Sequence, residues 1–378
     1  MKINFKIIIF FIILLLPIFF NFCKDNKEED TASINKLLED EKYETANTKI
    51  KEKLSTKQKE DEILSDKQTK EHHILELSND RNRVVFTEEK SVIFRDLANP
   101  LVKQVTFGQL PVNLSISSDA EHALVSISLP NSAGCRIYAV SLLESKESYV
   151  SNSIIPCNHH GAITSDGTTI YYYIDDSLYM ESTKEPKQPK LIIDKKNFPP
   201  PIQNIKNRYY IYPIGKTFLI FAGNAGMYQV YWLDPKKNEE EKLLEHVALP
   251  KIFYGTGKNA YIVTGVIGEL AIQELRFSAF GRPILAIKML VGIEKTNAWP
   301  TMQANEFISG YESEIFRWRE GDIIKTYPLL ADRFWVAARD HIIYEDRNNE
   351  LVISNLEFSE NDYKLLDQYR QTKKPKED

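Results

Sequence analysis

From residue 72 onward the chain is written in short apolar runs rich in Val, Ile, Tyr and Phe, each cut off by turn residues. Long windows with apolar residues at helical spacing are absent, so the pattern predicts an all-β body. The clearest unit runs Ile163-Thr164-Ser165-Asp166-Gly167-Thr168-Thr169-Ile170-Tyr171-Tyr172-Tyr173, in which one strand enters an Asp-Gly turn and a second leaves it. The same strand–turn–strand text recurs at Asn79-Asp80-Arg81, Ser118-Asp119-Ala120, Ile214-Gly215-Lys216 and Thr256-Gly257-Lys258, with weaker copies at Ala304-Asn305 and Arg339-Asp340. With Arg81, Ala120, Gly167, Gly215, Gly257, Asn305 and Asp340 taken as equivalent, the units stand 39, 47, 48, 42, 48 and 35 residues apart. That is the ~40–45-residue period of a four-stranded propeller blade. Each interval holds two further strands, as in Ser91-Val92-Ile93-Phe94 and Val102-Lys103-Gln104-Val105 of the first. The reading is a seven-bladed β-propeller over residues 72–362, with six or eight blades as the other counts the spacing allows. A ring suits such units because one blade cannot bury its own two faces, while neighbours in a circle bury each other's. The last unit is one strand short. Closure then takes a strand from the N-terminal side or from Tyr363-Lys364-Leu365-Leu366.

The N-terminal part has a different texture. Lys2 and Lys6 precede a nearly unbroken apolar run over residues 7–20, and the chain turns polar at Lys24. A basic head, a short apolar stretch and an abrupt polar boundary make residues 1–22 a secretory signal peptide; the apolar stretch falls short of the ~20 residues that span a bilayer. Cys23 stands at the boundary. The arrangement resembles a bacterial lipoprotein signal of the spirochaete type, although Phe22 occupies the place where such signals carry a small residue. The resemblance implies an acylated Cys23 at the start of the mature chain and anchorage to a bacterial membrane, facing the periplasm or the cell surface. An uncleaved anchor, or cleavage elsewhere with loss of Cys23, are the alternatives. Residues 24–71 follow, with 25 charged side chains among 48, no Gly or Pro, and Tyr43 as the sole aromatic. Such a segment is expected to be a solvated linker, disordered or partly helical through Ile34, Leu37, Leu38, Ile50 and Leu54. Residues 363–378 read as a disordered tail.

Within the body, Ser165-Asp166-Gly167-Thr168-Thr169-Ile170-Tyr171 through Leu178-Tyr179-Met180 resembles the WD40-like repeat of TolB-type propellers, as does Ser117-Ser118-Asp119-Ala120 in part. Both copies lack the proline of that pattern, and the second lacks its glycine. The resemblance implies the blade fold and carries over no functional residue.

Composition narrows the function. With 48 basic against 53 acidic residues and a formal charge of −5, the chain shows no basic excess of the kind a nucleic-acid binder presents. Three cysteines exclude a four-cysteine zinc site. Cys135 begins a third strand and Cys157 ends the neighbouring fourth, so an antiparallel pair brings them opposite each other; the expectation is a disulfide, and two separate buried thiols are the alternative. His159-His160 with Asp166, Asp175 and Asp176 is the densest set of metal-ligand types. Adjacent residues on an extended strand point to opposite faces, though, so neither a metal site nor a catalytic role is expected there. His72-His73 meets the same objection. Glu312 and Glu314 read as solvent-facing, Trp232, Trp299, Trp318 and Trp335 as packing between blades, and Phe198-Pro199-Pro200-Pro201 as a stiff spacer. No cofactor is implied. The expectation is a membrane-tethered, non-catalytic platform for an envelope protein partner. An exported glycan or peptide hydrolase with a site at the propeller channel, or a carbohydrate or small-ligand sensor, are the alternatives.

Overall fold

In every sheet of the computed structural model the order of strands across the sheet is their order along the chain, and every pairing is antiparallel; the one strand out of order is the N-terminal Glu62–Ser65. The structure describes residues 33–38, 42–54, 62–65 and 73–373, apart from breaks at 131–133, 158, 185–187, 200–206, 215–216, 225–226, 238, 255–259, 267–268, 278–282, 292–297, 302–305, 312, 332 and 347. Residues 1–22 and Cys23, where a signal peptide and a lipid site are expected, lie outside the described residues. No described helix is long and apolar enough to cross a membrane.

The sheets are the blades of a seven-bladed propeller. Blade 1 runs outward through Leu75–Leu77, Arg83–Glu88, Ser91–Asp96 and Val102–Thr106. Blade 2 comprises Pro111–Ile116, His122–Ser128, Gly134–Ser141 and Lys146–Pro156. Blade 3 comprises Ala162–Ile163, Thr169–Ile174, Ser177–Ser182 and Lys190–Ile193. Blades 4 and 5 share the long strand Glu239–Tyr254. Its first half closes blade 4 against Met227–Asp234, and its second half opens blade 5 against Ala260–Val266. The ladder breaks between Val247 and Ile252, where Pro250 has no amide to give it. Blade 6 begins at Ala298–Pro300 and ends at Asp322–Leu330.

Packing explains why the strands read as continuous apolar runs. A blade is covered on both faces, so neighbouring residues that point opposite ways are both buried, as are Val84, Val85 and Phe86. The core is accordingly a series of wedges between sheets. Val85, Phe94 and Val105 of blade 1 meet Leu114, Val125 and Val140 of blade 2, and Tyr171 and Tyr173 of blade 3 meet Tyr209, Phe218 and Ile220 of blade 4. Each such side chain contributes on the order of 1.5–3 kcal/mol.

Closure comes from the N-terminal side. Blade 7 supplies Phe334–Val336, Ile342–Glu345 and Leu351–Ser354, and its fourth strand is Glu62–Ser65, with Glu62 opposite Ile353 and Ile63 opposite Val352. Arg95 of blade 1 clamps this strand by donating from Nη1 to the carbonyls of Ile63 and Leu64, 3.0 Å each. At the same seam, Glu345 accepts from the His73 amide (2.7 Å) and from Arg333 (2.9 Å), while Arg333 Nη2 donates to the His73 carbonyl at 3.0 Å.

Three sequence boundaries are thereby corrected. The ring starts by Glu62 and not at residue 72, because Leu64 is buried at the seam. Tyr363-Lys364-Leu365-Leu366 is no closing strand, and the expected disordered tail is ordered as far as Lys373. Glu360–Lys373 is a helix whose Leu365, Leu366 and Tyr369 share one face and bury against Ile50 and Leu54 of the helix Tyr43–Leu54 and against Leu330 of blade 6. The linker is thus partly helical, and its helix is attached to the ring.

Candidate functional site

Three consecutive blades build the same turn after their innermost strand. In blade 1, Ser78 Oγ donates to Asp80 Oδ1 (2.6 Å), which also accepts the Asn82 amide (3.1 Å), while Ser78 Oγ accepts the Arg83 amide (3.0 Å). Blade 2 repeats this with Ser117, Asp119, Glu121 and His122 at 2.6, 3.1 and 3.0 Å. Blade 3 does so with Thr164, Asp166, Thr168 and Thr169 at 2.6, 3.1 and 3.2 Å. The hydroxyl and carboxylate consume the amides that the reversal leaves unpaired. The Thr164 hydroxyl holds the Asp166 carboxyl down at about 2, against the weaker opposing effect of burial.

The residue after the aspartate turns left-handed each time: φ is 59° at Arg81, 57° at Ala120 and 66° at Gly167. These are the positions the sequence aligns, so the repeat marks a backbone need. In blade 3 a Cβ on Gly167 would in addition meet the His122 ring, which would have to shift. Blade 1 places a long cation at the equivalent position.

The Arg81 side chain crosses from blade 1 to blade 6, where Nη1 donates to the Pro300 carbonyl at 2.5 Å and the guanidinium lies 6.0 Å from the Trp299 ring. It is 2% exposed, and Nη2 has no hydrogen-bond partner. Burial pulls its pKa down to about 10, opposed by the charge of Asp340, so it remains a cation at neutral pH. Arg81 forms one wall of a cavity of ≈ 40 Å³ at the end of the channel where the innermost strands run into these turns. Glu76, Ser115, His160, Tyr212 and Trp299 are among its other walls. Glu76 Oε1 stands 3.9 Å from His160 Nε2, and the His160 ring stacks on Tyr210 and Tyr212 at 5.8 and 6.0 Å.

His159 points the other way, toward Tyr173, Tyr209 and Asp176, with Nε2 4.0 Å from Asp176 Oδ1. The two histidines diverge, as neighbours on an extended chain do. Among the described residues no three His, Cys, Asp or Glu side chains are placed to hold a metal. Glu314 is buried and bonded by Arg370 of the C-terminal helix at 3.0 Å, not solvent-facing, and Glu312 lies outside the described residues. Trp232, Trp299 and Trp335 are buried, while Trp318 stacks on Phe307 and donates to Ser309 Oγ at 2.8 Å. Cys135 Sγ and Cys157 Sγ are bonded at 2.08 Å, Cys135 on the third strand of blade 2 opposite Ile155 and Cys157 just past the end of the fourth, Lys146–Pro156. The pair links the two outer strands of blade 2, away from the cavity. Arg81 is the residue that sequence reasoning used as a repeat marker and missed as chemistry. Its signal was a bulky cation at a turn position where the other aligned units carry Gly, Ala, Asn or Asp.

No protein-family model matches the chain, and no curated protein matches it in sequence. Solved structures match in shape. The β-propeller domain of Myceliophteria thermophila Cps50 (Swd1) aligns at 11% identity with a TM-score of 0.55, over 78% of this chain and 98% of that one. A chain of the mitotic checkpoint complex (10% identity, TM-score 0.48) aligns over 78% of this chain and 89% of its own length. Oligogalacturonate lyase in complex with manganese (10%, TM-score 0.48) aligns over 76% and 89%. At such identities the likeness is one of fold, a WD40-like β-propeller.

Proposed function

We propose that this protein is a bacterial envelope lipoprotein, acylated at Cys23, whose propeller is a non-catalytic docking platform for another envelope protein. The observation that carries the docking part is the apolar rim. Val102, Ile154, Leu191, Ile284 and Ile323 stand on the outer strands of five different blades, and each is about half exposed. Apolar side chains on open sheet edges offer a partner both burial and ladder hydrogen bonds. The charged n-region, the apolar stretch and Cys23 at the polar boundary support the anchor. Two or more acyl chains hold a protein to a bilayer where one alone holds it only marginally.

Metabolic labelling with palmitate, followed by detergent-phase partition of the full chain, tests the anchor. The wild type is expected to carry label and partition with the detergent, and Cys23→Ser to do neither. Equal labelling and partition of the two would remove Cys23 as the lipid site.

A further inference from the structure

Given the anchor proposed at Cys23, on which the reading rests, we infer that the helices on the edge of blade 6 are the membrane-facing surface of the protein, seated on an anionic lipid bilayer. Fully extended, residues 24–71 would reach about 160 Å from Cys23. The helices shorten that reach. Ile34 is fully buried in one cluster with Ile50 and Leu54 of Tyr43–Leu54, with Leu365, Leu366 and Tyr369 of Glu360–Lys373, and with Leu330 of blade 6. Asn47 Nδ2 donates to Thr372 Oγ1 at 2.7 Å, and Gln368 Nε2 donates to Asn35 Oδ1. Arg370 ties the C-terminal helix to Glu314 of blade 6 at 3.0 Å. The chain is thus fixed to the ring eleven positions after Cys23, a stretch that spans at most about 40 Å. An anchor at Cys23 therefore holds this edge of the ring nearest the lipid.

Charge favours the same surface. Residues 33–38, 42–54 and 360–373 carry eight basic and five acidic side chains, within a chain whose formal charge is −5. Lys36, Lys42, Lys49, Lys51, Lys364 and Lys373 are all exposed. The apolar sides of the helices are turned against each other and against Leu330, so what they present outward is polar and basic. Lysines brought within a Debye length of anionic headgroups, about 8–10 Å, are attracted to them. Lipid chains and basic side chains together also hold a protein to a bilayer far better than one chain alone. Blade 6 then faces the bilayer. Blades 2 and 3, three places away around a ring of seven, carry Ile154 and Leu191 on the side turned from it.

The test takes the mature chain, beginning at Cys23, and couples its thiol to a maleimide lipid in vesicles of phosphatidylcholine and phosphatidylglycerol. Cys135 and Cys157 are bonded to each other, which leaves Cys23 as the sole thiol. Lysines are acetylated in a short pulse with a membrane-impermeant reagent and read by mass spectrometry, tethered chain against free chain. Lys36, Lys49, Lys51 and Lys364 are expected to react about fivefold more slowly when tethered, the factor that one lysine's attraction to such a surface supplies. Lys146 of blade 2 and Lys190 of blade 3, both exposed, should keep the rate of the free chain. Lys36→Glu, Lys49→Glu and Lys364→Glu made together should return Lys51 to its free rate. Absence of protection at the helices overturns the inference, as does equal protection of Lys146 and Lys190, or protection of Lys51 that survives the triple variant. Should that variant fail to fold, undiminished protection of the wild type on phosphatidylcholine alone overturns it equally. Because the coupling supplies the anchor, these outcomes are read apart from acylation itself, which palmitate labelling of the full chain decides.

Discussion

At Gly167 the backbone sits at φ 66° with the His122 ring where a Cβ would be. Gly167→Ala is therefore expected to cost about 2 kcal/mol in urea unfolding, from left-handed strain and collision together. Adding His122→Ala should recover the steric part and leave the strain. Beside it, Asp166 titrates at about 2 when folded, against an ordinary 3.8. A carboxylate held below its unfolded value stabilises the fold above that value and loses the effect as pH falls through the folded one. Asp166→Ala should thus be less stable than wild type by up to about 1 kcal/mol at pH 7, the group being largely exposed. The difference should vanish between pH 4 and pH 2, as read by thermal unfolding across pH. These turns were legible in the sequence because their chemistry is local: Asp, then a residue that accepts positive φ. Arg81 was legible as a turn and illegible as a cation of the channel, because its partner Pro300 lies 219 residues away.

Blades are elements whose strands find each other through short turns, which is why their period could be read from spacing. The strand Glu62–Ser65 could not be read that way. Its two apolar residues, Ile63 and Leu64, sit among charges and gain a role only when Leu351–Ser354 presents an open edge. The helix Glu360–Lys373 hid for the same reason: its apolar face has meaning only against Tyr43–Leu54 and Leu330. Leu64→Asp should unfasten the seam at a cost of about 3 kcal/mol, the loss of a buried apolar side chain plus an unpaired charge. Hydrogen exchange should then rise at the amides of Leu351–Ser354 and stay slow in Thr169–Ile174 of blade 3. The link between Cys135 and Cys157 closes a loop with a sequence separation of 22. Replacing both cysteines with Ala should lower unfolding stability by about 3 kcal/mol on the chain-entropy account. Reducing agent should lower the wild type as much and leave the double variant unchanged.

At the scale of the whole molecule, seven units of about 43 residues gave away the ring, since repetition survives the loss of any one turn signal, as at Asn305 and Asp340. Function is spread differently. The rim residues Val102, Ile154 and Leu191 look in sequence like any other strand residue, and only the position of a strand within its blade separates an outer edge from a buried middle. The account's central claim is that a tether at Cys23 and an apolar rim together bring the propeller to an envelope protein. Cross-linking in intact cells, followed by affinity capture and mass spectrometry, tests it most directly on three chains: the wild type, Cys23→Ala, and the triple variant Val102→Lys, Ile154→Lys, Leu191→Lys. The account predicts a discrete set of envelope proteins with the wild type, weakened by Cys23→Ala and lost in the rim variant despite an unchanged melting temperature. Capture of the chain alone, or the same partners from all three, would contradict it.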